Sequence, residues 1–305
     1  MPLGDALSAS PAFLIAACLV LGLLVGSFLN VVIHRLPLML ERQWREQCEE
    51  LAREGAASGP HPAPAAHARF DLIVPRSACP ACKAPITALQ NVPILSYLVL
   101  KGRCAACGAR ISLRYPLVEA LTGVVSAALA WKLGYGWALP AALLLTWFLI
   151  ALAFIDLDRQ LLPDCLTLPL IWIGLAASLF GPQAEGAPLP VDLRSSVIGA
   201  LAGYLSLWSV FHLFRLLTGK EGMGYGDFKL FAALGAWLGW QLLLPTILLS
   251  AVVGAVVGVG VLAVGGKDRS TPIPFGPFLA ASGWLMLLFG HALVARYLGL
   301  FAPHA

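Results

Sequence analysis

The sequence predicts an all-α polytopic membrane protein of about eight transmembrane helices, with a small cysteine-bearing cytoplasmic module inserted after the first. Three observations predict it. The 305 residues are 59% hydrophobic and 12% charged, whereas a soluble domain carries about 25% charged residues. The apolar residues come in runs approaching the ~20 needed to cross a hydrocarbon core. One long polar stretch, from Arg35 to Tyr115, holds five of the seven cysteines, four of them as two Cys-x-x-Cys pairs.

The apolar segments lie near 12–34, 117–134, 138–155, 164–181, 196–217, 228–240, 243–264 and 274–299. The first is read as a retained helix. It has Asp5 ahead of it, lacks a basic leader, and closes on Asn30, His34 and Arg35 with no small-residue cleavage site. The sixth is short and Gly-rich, which suits a broken or re-entrant helix. Within the polar stretch, Glu41 to Glu54 reads as a charged surface helix, and Gly55 to Ala68 as an Ala/Pro/Gly-rich linker. Ser77 to Ile111 reads as a small folded module. The expected domain division is a first helix over 1–36, a cytoplasmic loop over 37–115 and a seven-helix core over 116–305.

Orientation follows from the Lys/Arg bias of the loops. Residues 35–115 hold eleven of the twenty Lys and Arg residues. With that loop in the cytoplasm, eight spans put Arg159, Arg215, Lys220, Lys229, Lys267 and Arg269 on the same side. Only Lys132, Arg194 and Arg296 fall opposite, and both termini face the periplasm. Nucleic-acid binding is disfavoured, because the net charge is only +4 and the basic residues are interleaved with acids around membrane spans.

Cys79-Pro-Ala-Cys82 and Cys104-Ala-Ala-Cys107 are separated by 21 residues. Two such knuckles can complete a closed tetrahedral four-thiolate shell around zinc. Lys83 and Arg103 add positive charge that favours thiolates. Two disulfides or a redox pair are the competing readings, and a cytoplasmic location opposes stable disulfides. A closed site of this kind holds the loop's fold and performs no chemistry. Cys18, Cys48 and Cys165 are read as packing residues.

Ionisable groups at membrane depth are costly and are default candidates for function. Asp156, Asp158 and Asp164 fall within nine residues between the third and fourth spans. Gly222-Met-Gly224-Tyr-Gly226-Asp227 opens the sixth, its glycines permitting tight turns and close helix approach. The topology puts Asp156 and Asp227 at the same membrane boundary although they are 71 positions apart. Two carboxylates meeting in a dry site share a proton and can act as base and acid on water and an amide. Blander roles exist: a helix cap for Asp164 or Asp227, and a solvated loop charge for Asp158. A carboxylate-based ion-coupled transporter would use the same acids, so the acids alone do not choose.

The ordered motifs resemble the bifunctional type IV prepilin peptidase/N-methyltransferase family, whose members are intramembrane aspartyl proteases. They are Gly26-Ser-Phe-Leu-Asn-Val-Val-Ile-His-Arg-Leu-Pro37, the cysteine knuckles, Arg114-Tyr-Pro-Leu-Val-Glu119, Ile155-Asp156 to Asp164, Gly224-Tyr-Gly226-Asp227-Phe-Lys229, and Pro272-Ile-Pro-Phe-Gly-Pro277. The resemblance implies that Asp156 and Asp227 are the catalytic pair. It further implies removal of basic leaders from prepilins and pseudopilins at the cytoplasmic face of the inner membrane, commonly between Gly and Phe. N-methylation of the new terminus with S-adenosyl-L-methionine follows. Membrane lipid and pilus or type II secretion assembly components are the implied partners. Glu119 is read as a structural ion-pair partner or a contact for the basic leader, and Lys229 as tuning the dyad or snorkelling. Asn30, His34 and Arg35 form a possible polar patch near the site, and Pro272–Pro277 a rigid helix entry without chemistry. No motif marks the methyl-donor site, which by elimination points to the loop around Gly102 and Arg103.

Overall fold

The computed structural model describes residues 3–55, 69–87, 89–181, 189–220, 222–265 and 273–301. The linker read over Gly55 to Ala68 lies largely outside them, as do Pro272, Lys267 and Arg269. Among the described residues there is no strand, only isolated bridges at Ala78–Pro85 and Arg103–Arg110. Ten α-helices are described: α1 Leu3–Ala9, α2 Pro11–Gly55, α3 Leu95–Val99, α4 Arg114–Leu133, α5 Ala138–Arg159, α6 Asp164–Phe180, α7 Leu193–Thr218, α8 Tyr225–Leu238, α9 Leu243–Gly265 and α10 Gly276–Phe301. Each of the eight apolar segments is thus helical. Six helices, α2, α4, α5, α7, α10 and the stretch Trp240–Val261 that includes most of α9, are long and apolar enough to cross a membrane.

The first helix departs from expectation. It does not close at Pro37; α2 runs 45 residues with Pro37 inside it and absorbs the charged segment. Pro removes one backbone hydrogen bond and strains the preceding turn. The charged turns beyond it favour helix in part, because Glu41/Arg45, Arg42/Glu46 and Arg45/Glu49 are opposite charges at i, i+4.

The chain forms two compact units, Leu21–Gly123 and Met1–Val20 with Val124–Ala305. The larger is built around α8, which packs against α6, α7, α9 and α10, while α5 packs against α6 and α10. At 14 residues, α8 spans only about 21 Å, too little for a hydrocarbon core of about 30 Å. It is tolerated because protein encases it: from Phe228 to Trp237 nearly every residue is buried. The encasement needs small residues. A Cβ on Gly199 would overlap the Gly235 carbonyl, and one on Gly235 would overlap that of Gly199, so α7 and α8 touch backbone to backbone. Ser196 Oγ donates to the Ala236 carbonyl at 2.6 Å and Trp237 Nε1 to the Leu170 carbonyl at 2.8 Å. The outer faces are apolar instead: Leu244, Leu248, Val252, Val256 and Val259 of α9 are all exposed. An apolar exterior around a packed interior suits lipid, not water.

In the smaller unit, Asn30 donates to the Tyr115 carbonyl at 3.0 Å. A Cβ on Gly26 would come within 2.8 Å of Glu119 Cα, so α2 and α4 approach closely there. Buried Arg35 donates to the Asp71 carbonyl at 3.0 Å and lies 5.9 Å from the Phe70 ring centre. Asn30 and Arg35 are therefore engaged within their own unit, whereas His34 is exposed.

Candidate active site and metal site

Asp156 occupies the last turn of α5. The helix stops because Gln160 takes a left-handed conformation (φ 51°) and donates its N–H to the Asp156 carbonyl at 2.8 Å. Asp227 occupies the first turn of α8, which begins after Gly224, and its own N–H bonds the Gly224 carbonyl at 3.2 Å. Both side chains are buried, at 6% and 7% exposure. The fold brings them within electrostatic range of each other. Asp156 Oδ2 accepts the Gly276 N–H at 2.9 Å. Asp227 Oδ1 is buried and, among the described residues, has no hydrogen-bond partner. A buried carboxylate oxygen without a partner is costly, and a water or a substrate amide would satisfy it.

Gly276 is the residue that motif reading misses. Pro272–Pro277 reads as a rigid helix entry without chemistry, yet it supplies the donor that holds Asp156. Its composition carries the signal: Pro274 and Pro277 have no N–H, leaving Phe275 and Gly276 to donate. A Cβ at 276 would lie 2.6 Å from Asp156 Oδ2, and one at Gly226 would lie 2.6 Å from Leu162 Cβ. These close approaches explain why glycine stands at both positions.

The neighbouring charges have structural roles. Lys229 bonds Asp164 Oδ1 at 2.6 Å, tying the start of α8 to the start of α6. Asp164 is the first residue of α6, and Pro163 holds the cap position. Asp158 is exposed. In the smaller unit, buried Glu119 accepts the Ile94 N–H at 2.8 Å and a hydrogen bond from Ser27, so its partners among the described residues are a peptide and a hydroxyl.

The cysteines form two matching knuckles. In the first, Cys79 N–H donates to Ala84 at 2.9 Å and Lys83 N–H to Cys79 at 2.9 Å. In the second, Cys104 N–H donates to Ala109 at 2.8 Å and Gly108 N–H to Cys104 at 2.9 Å. Lys83 and Gly108 hold the same place, both with positive φ (60° and 72°). Glycine fits that conformation and lysine is strained in it. Lys83→Gly is therefore expected to stabilise the module by about 0.5–1 kcal/mol, read as a higher unfolding midpoint.

All four sulfurs lie within 4.8 Å of one another. Cys79–Cys107 and Cys82–Cys104 are each 3.9 Å apart, a non-bonded separation. A tetrahedral zinc with bonds of about 2.3 Å requires sulfur–sulfur edges of about 3.8 Å. The quartet fits a four-thiolate metal ion. Backbone N–H groups of Cys82 and Ala81 bring the Cys79 thiol down to about 6. The Ala109 backbone bond pulls Cys107 down, but the sulfurs of Cys82, Cys104 and Cys79, with burial, push it up to about 11. Four thiols that cannot ionise independently are what a cation would reconcile.

A model described as the bacterial peptidase A24 N-terminal domain matches residues 20–133, and one described as the type IV leader peptidase family matches residues 143–259. The prepilin leader peptidase/N-methyltransferase of Aeromonas salmonicida is 56% identical over 276 residues, covering 90% of this chain and 91% of that protein. The chain belongs to the type IV leader peptidase family. The protein of the same description from Pseudomonas aeruginosa is 52% identical over 298 residues, 98% of each chain, and that from Stutzerimonas stutzeri 52% over 292 residues, 96% of each. No solved structure matches. Both buried aspartates fall inside the leader peptidase match, and all four clustered cysteines inside the N-terminal one.

Proposed function

We propose that this protein removes the basic leader from type IV prepilins and pseudopilins at the cytoplasmic face of the inner membrane, with Asp156 and Asp227 as the catalytic pair. The observation that carries the reading is the pair itself: two buried aspartates from separate helices, one anchored by a peptide N–H and one with an open oxygen. Like charges at close range share a proton, and the pair titrates as a unit. One carboxylate takes a proton from the attacking water while the other delivers a proton to the leaving amide nitrogen. The Gly276 N–H fixes the orientation of the first acid, and the helices around α8 exclude bulk water. Family membership favours this chemistry over the transporter that the acids alone left open.

The same protein then methylates the new N-terminus, consuming S-adenosyl-L-methionine as a substrate whose site we place in the cytoplasmic loop near Gly102 and Arg103. Cys79, Cys82, Cys104 and Cys107 hold zinc, which supplies rigidity to the loop and leaves no coordination position for chemistry. In functional terms the first membrane span lies within residues 1–36, residues 37–115 form the cytoplasmic region that begins with the charged turns of α2, and 116–305 form the peptidase core, with both termini periplasmic. The loop-charge bias supports that orientation. Pilus and type II secretion assembly components are the expected partners.

The test is a cleavage assay of the purified protein in detergent. The substrate carries a basic leader and a Gly-Phe junction before an apolar helix, and mass spectrometry reads the product. Cleavage at the junction, followed by a one-methyl mass gain when S-adenosylmethionine is added, is expected. A folded protein that never cleaves such substrates would overturn the assignment. Gly276→Ala is expected to lower kcat about 100-fold by shifting Asp156, while the unfolding midpoint stays near that of the unsubstituted protein.

A further inference from the structure

The smaller unit exposes apolar side chains where a zinc-knuckle module in water would not. Leu95, Leu98 and Val99 are 62%, 64% and 79% exposed, and their i, i+3, i+4 spacing puts them on one face of α3. Leu89, just before it, is 84% exposed. Residues 77–115 contain five Lys and Arg and no Asp or Glu. Of these, Lys83, Lys101, Arg103 and Arg110 are exposed. We infer that the segment Leu89–Val99 is an interfacial element, seated in the acyl–headgroup boundary of the adjoining leaflet and held there by anionic lipid.

Depth carries the inference. The Ile94 N–H is bonded to Glu119, and Glu119 is bonded to Ser27 of α2. Ser27 lies six residues before the apolar run of α2 ends at Ile33, about 9 Å along the helix axis. The start of α3 is therefore level with membrane-embedded turns of α2. Non-helical backbone is tolerated at that depth only when its polar groups are satisfied by protein. Four N–H groups there are: Ile94 by Glu119, and Ser96, Leu98 and Leu100 by the carbonyls of Val92, Ile94 and Ser96 at 2.9–3.1 Å. Ile94 adopts φ 57°, rare for a β-branched residue, and its bond to buried Glu119 is what holds it. The apolar face faces acyl chains while the basic residues reach headgroup phosphates of an anionic surface. A basic substrate leader, the other candidate occupant, would be repelled by the same charges.

The full-length protein with Leu98→p-benzoylphenylalanine, reconstituted in nanodiscs, tests this independently of the peptidase reading. Photolysis is expected to give lipid adducts at position 98, and none from the same probe at the exposed knuckle residue Ala106. Adduct yield is expected to fall about fivefold when phosphatidylglycerol is replaced by phosphatidylcholine, or when Lys101→Gln and Arg110→Gln are combined. Zinc content and unfolding midpoint report that each variant is folded. Absence of lipid adducts, adducts to substrate or to the protein itself, or equal yields in the two lipids would overturn the inference.

Discussion

Replacing Asp227 with Asn is expected to abolish leader cleavage, a loss of about 10⁴-fold or more, and Asp156→Asn to do the same. General acid–base catalysis contributes about 10²–10⁴-fold, and a shared proton makes each acid useless without the other. The double variant is therefore expected to be no worse than either single one, as for residues that act as a unit. Stability should move the other way. Asp227 Oδ1 is buried and has no partner among the described residues, and a neutral amide is cheaper to bury than a carboxylate, so Asp227→Asn is expected to hold or raise the unfolding midpoint. Cleavage rates and midpoints measured in one detergent check both statements. Losses that multiply in the double variant would show two independent groups in place of a dyad.

Removal of the metal is expected to unfold the cysteine module and leave the aspartate core standing. Structural zinc sites contribute about 10–16 kcal/mol of apparent binding free energy, more than so small a module can replace from its own packing. Chelation, or Cys104→Ser, should abolish hydrogen-exchange protection over residues 77–111 while peptides from α5 and α8 keep theirs. Metal analysis should find one zinc per chain beforehand. Acid should act like chelator, because protons compete with zinc for sulfur. Cys107, pushed up to about 11 by the neighbouring sulfurs, needs a cation beside it to ionise at neutral pH, whereas the backbone N–H groups that bring Cys79 down to about 6 favour its thiolate. Retention should thus weaken as pH falls, read as zinc released per chain across a pH series. A protected module after verified metal removal would refute the structural role.

How much is legible in the sequence differs by feature. Hydropathy is a local property that adds along the chain, so every membrane helix can be read without knowing its neighbours. The cysteine quartet is legible for the same reason: a two-residue spacing already brings two thiols to one ion. The boundary drawn at 36/37 follows the end of the apolar run, whereas the helix itself continues through Pro37 to Gly55. Lys229 offers two roles by sequence, and packing adds a partner that no local pattern names, Asp164 at 2.6 Å and 65 positions away.

By itself the sequence determined that this chain lives in a membrane, which two knuckles can close on a metal, and which acids are too few and too deep to be incidental. Only the tertiary structure decided that Asp156 comes within electrostatic range of Asp227 and that Gly276, 120 positions from Asp156, donates the bond that orients it. It likewise decided that a 14-residue helix is viable because α6, α7 and α10 surround it. The reason is physical: hydrophobic runs and ligand spacings are set by near neighbours, whereas a carboxylate's partner and a helix's encasement depend on backbones that meet only after the chain has packed.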